Sequence, residues 1–153
     1  MEEIKDLLLR KKELFREYGE ILSDMIDSEI EKLAELSEEL DEAVKKLDDI
    51  DYLISLRLEE IDEGKEILED IKNRSNRDAL SPERQELFDI SKEIFSMISC
   101  YPSLVEQVAL KAKRLQGEAM QNIERINNEG TGTGYLKTLS TALDNGSFLN
   151  LKK

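Results

Sequence analysis

The chain has 153 residues, 37% charged and 5% aromatic, with a formal net charge of −13, a single cysteine and no histidine. That length suits one domain with a buried core, while the acidity is a poor match to nucleic acid or an anionic membrane, both of which select basic surfaces. The missing histidine excludes Ser-His-Asp triads, Cys-His nucleophile pairs and Glu-x-x-His di-iron sites, and the lone Cys100 excludes an internal disulfide and a zinc-thiolate site within the chain.

Richness in Glu, Lys, Leu and Ile, with two prolines, favours long helices over any sheet. The opening MEEIKDLLLRKKELF is acidic and has no uninterrupted apolar stretch, so no signal peptide is expected. No apolar run reaches the roughly 20 residues of a membrane span. A reducing cytoplasm is compatible with a lone cysteine.

The first helix is expected from about Glu2 to Met25. Ile4, Leu8, Phe15, Tyr18, Leu22 and Met25 step by three and four, with Lys11 in the one polar slot. Leu7, Leu9, Leu14 and Ile21 widen the stripe toward a bundle. The phase then slips, and Ser28 with Glu31 fits a capping box, so a break near Asp27–Ser28 is expected.

A second helix then runs to about Lys72, with a seam of Ile30, Leu33, Leu40, Val44, Leu47, Ile54, Leu58, Ile61 and Leu68. Ser37, Asp51 and Lys65 are polar seam slots, suited to setting register or to leaving a groove open. NRSNRDALSP, residues 73–82, reads as a loop, with Ser81 as N-cap and Pro82 at the first helical position.

The third helix, about 82–127, carries Leu87, Ile94, Ile98, Tyr101, Val105, Val108, Ala112, Leu115, Ala119, Ile123 and Ile126. Proline inside a helix loses a backbone bond and kinks or breaks it. Because the apolar spacing keeps its phase across Pro102, one long kinked helix is favoured over two. Asn127-Asn128-Glu129-Gly130 closes it.

The remainder differs in character. GTGTGYLKTLSTALDNGSFLNLKK, residues 130–153, has three lysines against one aspartate, which leaves −15 on residues 1–129. No strand precedes its glycines and no Gly-Lys-Ser/Thr follows, so they read as a hinge and not as a phosphate cradle. Beyond them, Leu136, Leu139 and Leu143 fall on one face of a segment too short to be a stable helix alone.

These elements describe an all-α, elongated antiparallel bundle or hairpin over residues 1–129, followed by a Gly-hinged segment over 130–153. Calcium would need a D-x-D-x-D-G loop, and there is none. The expectation is a non-enzymatic protein with no metal and no cofactor, whose work is to hold another protein. Helices of about 45 residues span roughly 65–70 Å. The shorter first helix leaves part of that length without a third partner. A guest amphipathic helix would suit the uncovered apolar groove, lined by Ile54, Leu58 and Ile61 on one side and Ile94, Ile98, Val105, Val108 and Ala112 on the other. Leu136, Leu139 and Leu143 would plug it when no guest is present. The alternative is a structural coiled-coil or adaptor protein whose third-helix seam closes a homodimer.

The chain resembles the flagellar type III export chaperones of the FliT and FlgN type. The resemblance rests on the acidic, Leu-spaced segment SEIEKLAELSEELDEAVKKLDDID after a short break, on a Ser-Pro-Glu loop leading into a long helix, and on Tyr135 followed by the ending GSFLNLKK. It implies a cytoplasmic chaperone without ATPase activity. Such a chaperone binds the C-terminal helical region of a filament cap or hook-associated protein, prevents its premature assembly and brings it to the export gate and ATPase complex. It also implies export-gate docking by Tyr135, exposed when a guest displaces the tail.

Overall fold

The computed structural model describes residues 1–129, and all their regular structure is helical. In chain order these are α1 (Glu2–Asp27), α2 (Ile30–Glu59), α3 (Gly64–Ile71), α4 (Pro82–Ile98) and α5 (Tyr101–Glu129), with a 3-10 turn at Arg77–Ala79 before α4. The all-α class expected from composition is the class found. The backbone divides into two compact units. One unit takes residues 1–18 and 43–100; the other takes 19–42 and, among the described residues, 101–129.

In the first unit, Ile4, Leu8 and Leu14 of α1 are buried with Leu47, Ile50, Ile54 and Leu58 of α2, Ile67 of α3 and Leu87 of α4. Ion pairs give the directions. Glu3 meets Arg57 at 3.2 Å and Lys11 meets Asp51 at 2.5 Å, so numbers rise on α1 as they fall on α2. Lys5 meets Glu86 at 2.8 Å and Lys12 meets Glu93, so α1 and α4 run parallel. Exposed pairs of this kind each contribute at most about 1 kcal/mol; the apolar seam carries the packing. Ile50, not Asp51, fills the seam slot in α2, and Asp51 and Lys65 are exposed.

The single second helix expected to reach Lys72 is interrupted at residues 60–63. Gly64 explains the tight turn. An added Cβ there would stand 1.9 Å from the Leu58 carbonyl oxygen, so the chain can turn this tightly only without a side chain. The Ile61 and Gly64 amides donate to Leu58 and Ile61 carbonyls at 3.3 and 3.0 Å.

At its other end α3 closes on Asn73, which is left-handed at φ 57°. Arg74 N–H reaches Glu69 O and Asn73 N–H reaches Asp70 O, both at 2.9 Å, the bonding of a Schellman cap. The Ser81 hydroxyl accepts from Arg84 N–H, and Pro82 opens α4, as the loop chemistry predicts.

In the second unit, Leu22 and Met25 of α1, Leu33, Ser37 and Leu40 of α2, and Val105, Val108, Ala112 and Ala119 of α5 are buried. The expected break lies at Ser28–Glu29, but Ser28 is no capping box. Its hydroxyl donates backwards to Met25 O at 3.1 Å. The α1 terminus has no basic residue in its last turn. Instead the Lys111 ammonium, from α5, donates to the carbonyls of Met25 (2.9 Å), Ile26 (2.8 Å) and Ser28. Desolvation, followed by nearby Arg114, holds that amine below its ordinary range, with Asp27 opposing. Tyr101 lies against Gly19 of α1, where an added Cβ would come within 2.8 Å of its ring.

The long third helix is in fact two. The interruption falls at Ser99–Cys100, and Pro102 sits in the first turn of α5, where a missing N–H leaves no partner wanting. Ser99 keeps helical dihedrals and its N–H bond to Phe95 O, so nothing in the residue spacing marks the interruption.

Candidate functional site

Of the eight groove residues read from the sequence, Ile54, Leu58, Ile61, Ile94 and Ile98 belong to the first unit and Val105, Val108 and Ala112 to the second. Ile54, Leu58, Ile94, Val105, Val108 and Ala112 are buried, while Ile61 and Ile98 are half-buried. Six of these side chains are thus part of the apolar core of their own unit. The seam spacing that marked them is the spacing of any packed helix, and packing here is intramolecular. Leu136, Leu139, Leu143 and Tyr135 lie outside the described residues.

The open apolar surface is on the opposite face of α2. Tyr52 is 65% exposed, Leu53 40% and Leu56 37%, large side chains on a helix whose core positions are Leu47, Ile50, Ile54 and Leu58. At 100° per residue, Tyr52, Leu56 and Leu53 fall within an arc of about 100°, turned away from that core. Tyr52, Ser55, Leu56 and Glu59 follow the i, i+3, i+4, i+7 pattern of one helix face.

Beside this face an open depression of about 570 Å³ lies where α2 turns into α3; it is reached by Ser55 and Glu59 and not by Tyr52, Leu53 or Leu56. Leu58, Ile61 and Leu68 supply its apolar lining, and Glu59, Asp62, Lys65 and Glu66 its charged lining, with Ser55 on the α2 side. The two half-buried or buried residues Leu58 and Ile61 are the only members of the sequence-derived groove that reach it. Gly64, at the tight turn between α2 and α3, is part of its lining.

The α3 wall is fixed to α4 by a buried pair. Asp70 is fully buried and its Oδ2 accepts from Arg84 Nε at 2.5 Å. The hydrogen bond to Asp70 raises the Arg84 guanidinium above its ordinary value, with burial opposing. The second oxygen, Oδ1, is buried with no partner among the described residues. Arg84 also feels Glu63 and Glu66, which draws the charge of the α3 start toward α4.

A second depression, of about 600 Å³, lies along α1 and α4 and is lined by Lys12, Asp89, Lys92, Glu93, Ser96 and Met97. Its charges are largely matched: Lys12 pairs with Glu93, and Asp89 takes a two-pronged bond from Arg77 at 2.7 and 2.6 Å. It offers one apolar side chain, Met97, against three at the α2–α3 turn.

Sequence reading passed over Tyr52, Leu53 and Leu56 because they are off the seam. The signal was present: three large apolar residues surplus to the heptad positions within five residues. Among the described residues no three His, Cys, Asp or Glu side chains group as a metal site would need, and no helix is long and apolar enough to cross a membrane. Compared with protein families, with curated proteins and with solved structures, the chain gave no match.

Proposed function

We propose that this chain is a non-enzymatic helix-binding chaperone of the flagellar export kind, taking the C-terminal helical region of a filament cap or hook-associated protein. The observation that carries the helix-binding reading is the exposed Tyr52–Leu53–Leu56 face of α2, beside the α2–α3 depression that Ser55 and Glu59 of the same helix line. Water-exposed apolar side chains grouped on one helix face are the usual landing site of an amphipathic partner helix. The flagellar assignment rests on the resemblance of the acidic second-helix segment and the ending GSFLNLKK. In this reading the chaperone is cytoplasmic, and delivery to the export gate and ATPase complex uses residues 130–153, Tyr135 among them.

The test is a titration of the full chain with the C-terminal helical segments of a filament cap protein and of a hook–filament junction protein, followed by calorimetry. One of the two is expected to bind in a one-to-one complex. Leu56→Asp should weaken it about tenfold or more, because a charge would enter the contact. Helical circular dichroism should stay unchanged, since Leu56 is exposed. Absence of binding by both segments to the folded chain would remove this reading.

One observation favours a second reading, a homodimeric adaptor. Leu110 and Met120 are exposed on α5 and, by helical spacing, share a face with Gly117, where a side chain would meet nothing. Sedimentation of the unliganded chain separates the two: a concentration-independent monomer leaves the chaperone, a stable dimer lost in Leu110→Asp leaves the adaptor.

A further inference from the structure

The second unit contains a helix that outruns its partners and yet is covered. Gly19 of α1 lies against Tyr101, and the carbonyls of Met25, Ile26 and Ser28 meet Lys111. α5 therefore runs parallel to α1 and draws level with the α1–α2 turn at Lys111. There α1 has ended and α2 heads back alongside it, as the ion pairs Glu3–Arg57 and Lys11–Asp51 require. α5 continues from Lys111 to Glu129, another eighteen residues, about 27 Å. Of the described residues in this unit, only its own extend that far.

An isolated helix would leave this length wet on every side. Here it is wet on one. Met120 is 63% exposed, and a side chain at Gly117 would meet nothing. Ala119, between them in sequence, is 1% exposed. Leu115, Ile123 and Ile126 are half-buried on the same side, since residues 115, 119, 123 and 126 fall within an arc of about 80°. A methyl group shielded to this degree has atoms packed directly on it. Its helical neighbours, which leave residues 117 and 120 open, do not supply them.

We propose that residues 130–153 supply them, turning at the glycines and packing back along α5 as the missing partner of its distal half. The inference is independent of the helix-binding reading: the occupant belongs to the chain, and the site is α5. Gly130, Gly132 and Gly134 suit a helix–helix turn of the usual few residues. The apolar steps on either side of that turn are mirror images. Ile126, Ile123 and Ala119 recede from it by three and four residues, and so do Leu136, Leu139 and Leu143. Antiparallel packing thus sets Leu136 on Ile126, Leu139 on Ile123 and Leu143 on the small Ala119. The length also fits. Residues 135–153, even if wholly helical, span about 28 Å, enough to reach the α1–α2 turn. A segment too short to hold a helix alone gains a surface to form on. The short connection gives it an effective concentration in the millimolar range, which favours it over the same segment of a second copy.

Two measurements on the full chain test this. In the native protein with methyl-labelled alanine, isoleucine and leucine, nuclear Overhauser cross-peaks are expected from Ala119 to Leu143 and from Ile123 to Leu139. Absence of any cross-peak from these two residues to 130–153 overturns the proposal. The second measurement compares Ala119→Cys with Gly117→Cys, each in a Cys100→Ser background, for reaction with a thiol reagent. The thiol at position 119 is expected to react at least about tenfold more slowly than that at 117. Adding Leu136→Ser/Leu139→Ser/Leu143→Ser should bring the two rates to within about twofold. Equal rates before that change, or protection that survives it, overturn the proposal. Protection lost on about hundredfold dilution gives the site to a second copy and overturns it likewise. The cross-peaks need no variant, so they decide even where the serine chain fails to fold.

Discussion

Gly19 and Gly117 occupy helix interiors, where glycine costs about 1 kcal/mol relative to alanine. Their surroundings give the same substitution opposite signs. Around Gly117 an added Cβ meets nothing within 4 Å, so Gly117→Ala is expected to stabilise the chain by about 0.5–1 kcal/mol. At Gly19 the new methyl would stand 2.8 Å from Cε1 and the hydroxyl of Tyr101, so Gly19→Ala should destabilise by about 1–3 kcal/mol. Once the ring is removed, the propensity gain should return: in a Tyr101→Ala background, Gly19→Ala is expected to stabilise. Urea unfolding of the four variants measures all of this. A loss at Gly19 that persists without the Tyr101 ring would show that backbone conformation, and not the ring, requires glycine. From the sequence, these two glycines and Gly64 are alike. Only the neighbour, an aromatic ring, a carbonyl or solvent, distinguishes them, and neighbours distant in sequence are what a periodicity cannot supply.

At the scale of elements, the two-residue connection between α1 and α2 leaves the α1 carbonyl end to be satisfied from outside. Lys111 reaches it from α5 with three bonds to Met25, Ile26 and Ser28. A cation at a helix C-terminus is favourable both to the dipole and to the free carbonyls. Removing it leaves part-buried acceptors without a donor. Lys111→Met, which keeps the aliphatic stem, should cost about 2 kcal/mol, whereas Lys113→Met on the exposed side of α5 should fall within about 0.5 kcal/mol of the native chain. Thermal melts followed by circular dichroism compare the two, and equal effects would deny Lys111 its capping role. The break near Asp27–Ser28 was legible because the apolar phase slips there. Its chemistry was not, because the cap comes from a residue more than eighty positions away. The same contrast holds elsewhere. Ser81-Pro82 announces the start of α4 from local chemistry alone. The interruptions at residues 60–63 and at Ser99–Cys100 preserve or mimic seam spacing, and so read as continuous helix. The candidate surface is a like case: six of the eight seam residues chosen are buried, and the exposed Tyr52, Leu53 and Leu56 stand where a heptad expects solvent.

For the molecule as a whole, residues 1–129 carry 34 acidic and 19 basic side chains, so most of their electrostatics is excess like charge. Named cross-helix pairs such as Lys5–Glu86, Glu3–Arg57 and Arg77–Asp89 are exposed and individually weak. Self-repulsion of an excess this large opposes the compact state and is relieved by screening. Raising sodium chloride from about 0.1 M to about 1 M shortens the Debye length from about 10 Å to about 3 Å. The melting temperature should therefore rise, by about 3–6 °C if screening returns about 1.5 kcal/mol. A fall instead would mean that local ion pairs, above all the buried Asp70–Arg84 pair and its neighbours, outweigh the net charge.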